Sequence, residues 1–458
     1  MTSILPRTTP TPRTSAHAGE LPAALSHYDT ELRRVLHETG AVAPSDPTSF
    51  APRWELPRPG PSLDAFFAPS TISAHALTEH RGRRLDLLHL MHNPRTRTTK
   101  TYASLVIVAR AVAHIERTGE RVVLLTPSSA NKATALRDAV LRAHECGLAG
   151  PDTLGIVCVV PSTSRGKLWR SKLSDDSELR RANPLTALDT DEPGKVKQLA
   201  RAVTEDLAAV LHRERGVRLW HSLELLNYAV ADTVRALFER DRLTAAPRLH
   251  AHAVSSAFGL LGHFHGQQHI TGQSWPDTSA GYFLVQHLGT SDMVSSLYHD
   301  RFDYRPRWTE SEGRLVQYHD PRFPRTAYTP DEQLDATFYT RRPATSPRMN
   351  EIIRRQGGGG IVVSLAECLD RYPALRSLLS PAGVRLPADP RELREWSLVM
   401  ALTGVFNAID RDLVDDTDIL VHGSGSYAAD DYRPVPQDHL RPVTDAADLA
   451  AAVREAAN

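Results

Sequence analysis

The chain has 458 residues, which exceeds the roughly 250–300 residues at which a single hydrophobic core stops growing, so two lobes or domains are expected. Its 54 lysine and arginine residues balance 54 aspartate and glutamate residues, which removes the broad electrostatic argument for a nucleic-acid partner. Three cysteines without Cys-x-x-Cys spacing argue against a disulfide framework and a cysteine zinc site, and favour a reducing cytoplasm.

The N-terminal part of the chain carries no export or membrane signal. No apolar run approaches the roughly 18 residues of a spanning helix, and the N-terminus lacks the apolar core of a signal peptide. Residues 1–19 are rich in Thr, Pro and Ser, which predicts a flexible tail. Helical spacing of apolar residues then predicts an amphipathic helix over Glu20–Gly40. We expect a soluble cytoplasmic protein without a membrane partner.

A lysine follows the first predicted buried strand. Leu85–Met91 is a short apolar run typical of such a strand, and Asn93-Pro94 predicts the turn after it. The later segment Ala103–Ile115 is apolar almost all round, as expected of a buried helix. Lys100 therefore lies at the edge of the core, where loss of solvent favours the neutral amine that attacks a carbonyl. The alternative is a lysine that reaches the surface from a helix start.

A second unit of strand, turn and helix follows. Arg121–Leu125 predicts a buried strand, Thr126–Asn131 a turn of small polar residues and Ala133–Ala143 a helix. Such a turn lies at the carboxyl end of a sheet strand, which is the usual ligand crevice of open α/β folds. The alternative is that these polar side chains only cap the helix.

A third unit contains a candidate phosphate site. The strand that ends at Val254 runs into Ser255–Gly259, and a helix begins near Leu260. Small residues before a helix N-terminus suit a phosphate, because backbone N–H groups and the helix dipole converge there. Five histidines occur in this region: His250, His252, His263, His265 and His269. Nothing in their spacing brings the rings together and no acidic ligand is interleaved, so no metal site is predicted.

The other segments extend the same pattern. Gly155–Val160 and Tyr282–Leu288 predict buried strands, and Leu223–Phe238 predicts a long helix. Ser171–Lys195 predicts a polar loop, and Gly357–Gly360 a flexible hinge, since no P-loop lysine or serine follows these glycines. The alternation of strands and helices predicts an α/β fold whose mostly parallel sheets are covered by helices.

The order of these segments resembles the fold-type II pyridoxal-phosphate enzymes of the tryptophan synthase β superfamily, and threonine synthase in particular. Asn93-Pro94 with Thr98-x-Lys100 is similar to the family's Asn-Pro and Ser-x-Lys elements, and Ser128-Ser129-Ala130-Asn131 is similar to its Ser-Gly-Asn turn. Ser255–Gly259 stands where the family has a glycine-rich phosphate cup. His422-Gly423-Ser424-Gly425 resembles its late Thr-Gly-x-Gly turn.

The motifs are divergent. One extra residue separates Pro94 from Lys100, Thr101-Tyr102 replaces the usual Asp-Arg, Ala130 replaces a glycine, and His422 replaces a hydroxyl residue. Serines and a phenylalanine also replace glycines of the phosphate cup. This divergence favours specialised metabolism, such as natural product biosynthesis, over a housekeeping reaction.

The resemblance implies a role for each motif. Lys100 would hold the aldehyde of pyridoxal 5'-phosphate and, when free, act as general base at the α-carbon of a small amino acid substrate. Asn131 would face the ring hydroxyl and His422 the pyridine nitrogen. The complete implied cofactor set is Lys100, Asn131, Ser255, Ser256, Ala257, Phe258, Gly259 and His422. The implied substrate set is Thr98, Ser128, Ser129, Asn131 and Arg97.

The resemblance also implies a two-lobed architecture. Residues 20–103 and 215–458 would form the larger α/β domain and residues 104–214 the smaller one, and the family suggests a homodimer. Arg95 and Arg97 precede Lys100 and are candidates for an anionic substrate side chain. Solvent-exposed loop arginines are the alternative.

Two functions of different classes follow. The first is a lyase or synthase that uses pyridoxal phosphate for β- or γ-elimination or replacement on an amino acid. The second is a catalytically silent relative that keeps the fold as a ligand-binding or partner-binding module. Lys100 and Asn131 in the expected order favour the enzyme, whereas the lost glycines favour the module.

Overall fold

The computed structural model describes residues 11–12, 18–43, 49–222, 226–277, 280–335, 337–338 and 340–458. Most of the predicted tail, residues 1–19, lies outside this range. Where the tail is described, Thr11–Pro12 and the start of Ala18–Leu21 are antiparallel edge strands of a sheet. None of the described helices is long and apolar enough to cross a membrane.

Strands and helices alternate along most of the chain. The strands are β1 (Thr11–Pro12), β2 (Ala18–Leu21), β3 (Ile72–His80), β4 (Arg83–His89), β5 (Arg121–Pro127), β6 (Leu154–Pro161), β7 (Leu185–Leu188), β8 (Val217–His221), β9 (Arg248–Ala253), β10 (Ala280–His287), β11 (Thr309–Ser311), β12 (Arg314–Val316), β13 (Thr326–Ala327), β14 (Gly358–Val363), β15 (Asp418–His422) and β16 (Arg441–Val443).

The helices are α1 (Ala24–His27), α2 (Asp29–Val42), α3 (Pro61–Phe67), α4 (Lys100–Thr118), α5 (Asn131–Glu145), α6 (Lys172–Asp175), α7 (Ser177–Ala182), α8 (Lys195–Arg215), α9 (Leu226–Asp232), α10 (Val234–Arg242), α11 (Phe258–Thr271), α12 (Asp292–His299), α13 (Ser346–Gln356), α14 (Leu365–Leu379), α15 (Ser397–Asp410) and α16 (Ala446–Ala456).

The larger sheet has the strand order β1-β3-β4-β15-β9-β10-β14, with β2 paired to β3. Within this sheet β4, β15, β9, β10 and β14 run parallel to one another. The β1, β2 and β4 strands pair antiparallel with β3. Alternate residues of a strand point to opposite faces, so Leu249 and Ala251 pack towards α14 and α15. His250 points to the other face, where α10 and α11 supply its neighbours.

The smaller sheet has the order β16-β7-β6-β5-β8, and all of its neighbouring strands are parallel. Val122 and Leu124 pack with α4 and α5, whereas Val123 and Leu125 pack with α8 and α16. Both faces are covered, which is why the central strands β5 and β6 contain continuous apolar runs. The prediction of an α/β fold with mostly parallel sheets flanked by helices is confirmed.

Strand pairing extends the smaller unit beyond the segment 104–214 predicted for it. β8 pairs with β5, because Gly216 (φ 66°) ends α8 and turns the chain directly into the edge of this sheet. β16 pairs with β7, and α16 then packs on α8. Residues 217–221 and 441–443 are therefore strands of the smaller sheet, and α16 packs beside it.

Three local predictions require correction. Ser171–Lys195 holds α6, α7 and β7 rather than a loop. Leu223–Phe238 is divided into α9 and α10, with residues 223–225 outside the described range. Gly357–Gly360 is not a hinge, since β14 begins within it and pairs with β10. A Cβ on Gly358 would lie 2.1 Å from the Tyr282 carbonyl oxygen, so the glycine is needed for close strand approach.

Candidate active site

One cavity lies where the carboxyl ends of the two sheets meet. It encloses about 280 Å³, and three helix N-termini, those of α4, α5 and α11, open onto it. The sequence-predicted residues on its wall are Thr98, Lys100, Ser128, Ser129, Asn131, Ser255, Ser256, Ala257, Phe258 and Gly259. Parallel strands end at the same edge of a sheet, which brings together side chains that are distant in sequence.

Lys100 is the first residue of α4 and the only part of its first turn that is open to the cavity. The fifteen residues that follow it are buried. Its Nζ lies 5.6 Å from the centre of the Tyr228 ring and makes no hydrogen bond to any other described residue. Burial lowers the pKa of Lys100, an effect that Asp232 opposes and Arg235 reinforces. The neutral fraction of the amine is therefore larger than in an exposed lysine.

The segment Ser255–Gly259 connects β9 to α11 and curves tightly around the cavity. Ala257 adopts a left-handed conformation (φ 53°), which directs the chain into the first turn of the helix. A Cβ on Gly259 would lie 2.8 Å from Cε1 of His252 and 2.9 Å from Nη2 of Arg235. The loop thus combines a helix N-terminus with close backbone approach, the two features of an anion site.

The segment Ser128–Asn131 connects β5 to α5 in the same way. Ser128 Oγ accepts hydrogen bonds from the backbone N–H groups of Ala130 (3.1 Å) and Ala133 (2.9 Å), so Ser128 does cap the helix start. Ala130 adopts φ 107°, a conformation that suits the glycine found in the resembling turn. Ser129 makes no hydrogen bond to another described residue, which leaves its hydroxyl group available to a ligand.

Two residues from the C-terminal part of the chain fix the Asn131 side chain. Tyr427 Oη donates to Asn131 Oδ1 (2.9 Å), and Asn131 Nδ2 donates to Glu395 Oε2 (2.6 Å). Glu395 also accepts from Lys167 Nζ (2.9 Å). The amide is oriented from both ends, and one Nδ2 hydrogen remains for a ligand. Sequence reasoning missed Glu395 and Tyr427, since no local pattern marks them.

A second lysine on the cavity wall, Lys132, was also missed. Its Nζ donates to the backbone carbonyl of Ser222 (2.8 Å). Burial lowers the pKa of Lys132 to about 7, and the charges of Lys197 and Lys100 add to the effect while Cys158 opposes it. A lysine in a helix is ordinarily a surface residue, so nothing in the sequence indicated this environment.

We expect Lys132 to make stability depend on pH. In the unfolded chain it holds its proton up to its ordinary pKa of 10.5, but in the folded protein only below about 7. Between these values the unfolded chain binds more protons, so the free energy of unfolding rises with pH. Relative to Lys132→Met, the wild type should gain a few kcal/mol between about pH 7 and pH 10.

Denaturant titrations at several pH values measure this difference. The control is Lys195→Met, because that side chain is half exposed and its ion pair within the described part of the chain is with Glu192. Its stability should follow the wild-type pH dependence. Parallel curves for wild type and Lys132→Met would contradict the buried, proton-poor state of Lys132.

Arg97 and Arg95 are not placed as predicted. Neither lines the cavity. Arg97 has a left-handed backbone conformation (φ 43°), and its Nη1 lies 2.7 Å from Oδ1 of Asp431. Arg95 pairs with Glu145 (2.8 Å) and Asp138 (3.5 Å). The assignment of Arg97 to the substrate is therefore corrected, since its guanidinium is held by an ion pair outside the cavity.

His422 is likewise not on the cavity wall. It is fully buried on the α10 side of the larger sheet. Arg235 Nη1 donates to His422 Nδ1 (3.1 Å), and the remaining nitrogen, Nε2, lies 3.0 Å from Nδ1 of His250. Burial and the charge of Arg235 hold the pKa of His422 well below its usual range. Both nitrogens of the neutral ring are engaged, which corrects its assignment to the pyridine nitrogen.

Two of the five clustered histidines converge with an acid from α10. Glu239, His250 and His263 place one ligand atom each within 4.8 Å of one another. A metal ion bound to His250 Nε2 would leave the His250 proton on Nδ1, facing His422. The His422 proton would then point at the Arg235 guanidinium, donor against donor. The hydrogen-bond directions therefore favour protons rather than a metal ion at this cluster.

Comparison with solved structures establishes the fold. The chain is similar to threonine synthase from yeast, with a TM-score of 0.52 and 10% identity over 84% of this chain and 81% of that chain. PLP-bound threonine synthase from Brucella melitensis (TM-score 0.47, 12% identity, 82% and 79% covered) and L-serine ammonia-lyase from Rhizomucor miehei (0.47, 13%, 78% and 91%) are also similar. The yeast enzyme confirms the predicted fold-type II architecture.

Sequence comparison places the chain in a family. A search of curated proteins returns no match. A family model described as a family of unknown function, DUF6002, matches residues 20–457. The match covers almost the entire sequence, and the chain belongs to the DUF6002 family.

Proposed function

We propose that this protein is a pyridoxal-phosphate enzyme, threonine synthase-like, that performs elimination or replacement at the β- or γ-carbon of an amino acid. One observation carries the proposal. Lys100, whose pKa is lowered by burial and whose Nζ has no hydrogen-bond partner among the described residues, faces the same cavity as the loop Ser255–Gly259 and the turn Ser128–Asn131. An amine, an anion site and a polar turn around one cavity match the aldehyde, phosphate and ring hydroxyl of this cofactor.

The wall residues suit the cofactor in size and polarity. Gly259 provides space where a Cβ would collide with His252 and Arg235, and the α11 N-terminus offers N–H groups to a phosphate. Asn131 keeps one amide hydrogen for the ring hydroxyl. When bound, pyridoxal phosphate supplies an electron sink that stabilises negative charge at the substrate α-carbon.

Lys100 is the residue that moves a proton in this proposal. A neutral amine at Nζ accepts a proton, and the lowered pKa of Lys100 increases the fraction of the molecules in that state. The same amine, once protonated, returns the proton to the substrate or to a leaving group. The Tyr228 ring, whose centre lies 5.6 Å from Nζ, covers one side of the amine.

The substrate carboxylate is assigned to the N-terminus of α5. Ser129 offers a hydroxyl group that has no other described partner, and the helix dipole favours an anion there. Ser128 acts on the ligand indirectly, because its hydroxyl group holds the turn in shape. The divergence of the motifs supports a substrate of specialised rather than housekeeping metabolism.

Mapping of the modified lysine tests the proposal. Purified protein is mixed with pyridoxal phosphate, reduced with borohydride, digested and analysed by mass spectrometry. We expect a visible absorption band for the bound cofactor and a single label on Lys100. A label on Lys132 or Lys197, which line the same cavity, would place the attachment elsewhere. Absence of any band would instead support the catalytically silent module.

A further inference from the structure

His252 is the unexplained polar side chain of the cavity. It lies near the end of β9 on the cavity wall and is only 7% exposed. Both of its ring nitrogens are buried, and neither has a hydrogen-bond partner among the described residues. Buried polar groups in folded proteins are almost always paired, because an unpaired donor or acceptor costs the full desolvation penalty. Because His252 also forms part of the cavity wall, a ligand in the cavity is the candidate for this partner.

The neighbouring strand explains why His252 and not His422 is available. β15 and β9 are parallel and their register sets His422 opposite His252. His422 is saturated by Arg235 and His250, as described above. The hydrogen bonds with Arg235 and His250 thus engage both ring nitrogens of His422. The two ring nitrogens of His252, on the cavity wall, have no hydrogen-bond partner among the described residues.

The surroundings of His252 set its charge and its position. Cε1 of its ring and the Arg235 guanidinium both lie within about 3 Å of where a Gly259 Cβ would stand, so the ring abuts the start of α11. Burial holds the pKa of His252 well below its usual range, and Arg235 and Lys100 add to the effect. The ring is neutral, with one N–H donor and one acceptor.

One polar atom of the cofactor, the pyridine nitrogen, still lacks a partner in the proposed site. In the proposed function Lys100 takes the aldehyde, Ser255–Gly259 the phosphate and Asn131 the ring hydroxyl. The pyridine nitrogen is the one polar group left without a partner. We propose that the neutral His252 ring donates a hydrogen bond to the pyridine nitrogen of bound pyridoxal phosphate, in place of His422. This inference rests on the proposed function.

The chemical consequence concerns the ring nitrogen. A neutral imidazole that donates N–H leaves the pyridine nitrogen as an acceptor without its own proton. The positive Arg235 guanidinium beside His252 opposes a second positive charge at this position. His252 is therefore a cofactor-binding residue, whereas burial and the neighbouring Arg235 keep it neutral.

Nuclear magnetic resonance of holoenzyme with cofactor labelled by ¹⁵N in the ring tests the assignment. In the wild type with labelled histidines, we expect coupling between one imidazole nitrogen and the pyridine nitrogen. His252→Leu, which removes the donor, should shift the ring ¹⁵N resonance and weaken cofactor binding roughly tenfold, as for loss of one buried hydrogen bond. His252→Asn keeps an N–H donor and should recover part of both.

His422→Asn is the discriminating comparison. It should move the ring ¹⁵N resonance less than His252→Leu does. An equal or larger movement would return the role to His422. If His252→Leu shifts the ³¹P signal of the cofactor and leaves its ring ¹⁵N signal unchanged, His252 binds the phosphate instead. Absence of coupling between histidine and ring nitrogen in the wild type would also overturn the inference. This last result does not depend on whether the leucine variant folds.

These outcomes separate the inference from the proposed function. Protein that carries cofactor on Lys100 but shows no histidine contact at the ring nitrogen rejects only the role of His252. Wild-type protein that takes up no cofactor rejects both.

Discussion

Lys100→Ala is expected to abolish the reducible attachment of pyridoxal phosphate and to lower turnover by at least ~10³-fold, within the range ascribed to a lost general base. The physical reason is that Lys100 Nζ is an amine on the cavity wall whose pKa is lowered by burial and which has no hydrogen-bond partner among the described residues. Turnover is measured with amino acids that carry a leaving group on Cβ or Cγ, namely O-activated serines and homoserines and S-adenosylmethionine.

Lys132→Ala is the matched control for this variant. Lys132 shares the cavity wall and has a pKa lowered to about 7, so its amine is also neutral in part at physiological pH. It differs because its Nζ is tied to the Ser222 carbonyl 2.8 Å away. We expect Lys132→Ala to keep the covalent attachment. Retention of attachment in Lys100→Ala, with loss in Lys132→Ala, would exchange the roles of the two lysines.

A small primary amine added to Lys100→Ala provides a second check. If the variant lacks only an amine at a preserved site, the added amine should restore a measurable part of the turnover in proportion to its neutral form. Restoration should therefore increase with pH below the pKa of the added amine. A variant that is inactive because its cavity has collapsed would show no response.

The units that carry the site could be predicted because their signals are local. The buried strands β5 and β6 contain apolar runs followed by small polar residues, and α4 is apolar almost all round. Parallel strands end at one edge, so the sequence could place Lys100 and the two loops together without any knowledge of contacts.

The rest depended on long-range pairing, which leaves no local pattern. Glu395 lies 264 residues after Asn131, with which it shares a hydrogen bond, and β16 joins β7 from the C-terminus. His422 was assigned from its place in a motif, but its ring is hydrogen-bonded to Arg235 and His250, whereas His252, its partner in the strand register, lies on the cavity wall. Such outcomes follow from packing rather than from residue type.

Lys167→Met should cause the largest loss of stability of the variants considered, about 3–5 kcal/mol, as for breaking a buried ion pair by removal of one partner. Lys167 Nζ lies 2.7 Å from Asp335 Oδ1 and 2.9 Å from Glu395 Oε2, and the two acidic side chains are 1% exposed. Although burial opposes it, the two carboxylates raise the pKa of Lys167. Without this cation, two buried negative charges face each other.

The control for this variant is Lys195→Met, whose exposed pair with Glu192 (3.4 Å) should cost less than about 0.5 kcal/mol. Urea titrations with unchanged slope measure both values. The double variant Lys167→Met with Asp335→Asn removes one uncompensated charge and should recover part of the loss. A loss for Lys167→Met no larger than that of the control would contradict the buried triad.

The same variant should also weaken cofactor binding, which a purely structural role would not require. Lys167 follows β6 of the smaller sheet, whereas Asp335 and Glu395 belong to the larger unit, so the triad joins the two walls of the cavity. Glu395 in turn holds Asn131 through a bond of 2.6 Å. Lys167→Met should therefore raise the dissociation constant of pyridoxal phosphate even where the protein remains folded, and Lys195→Met should leave it unchanged.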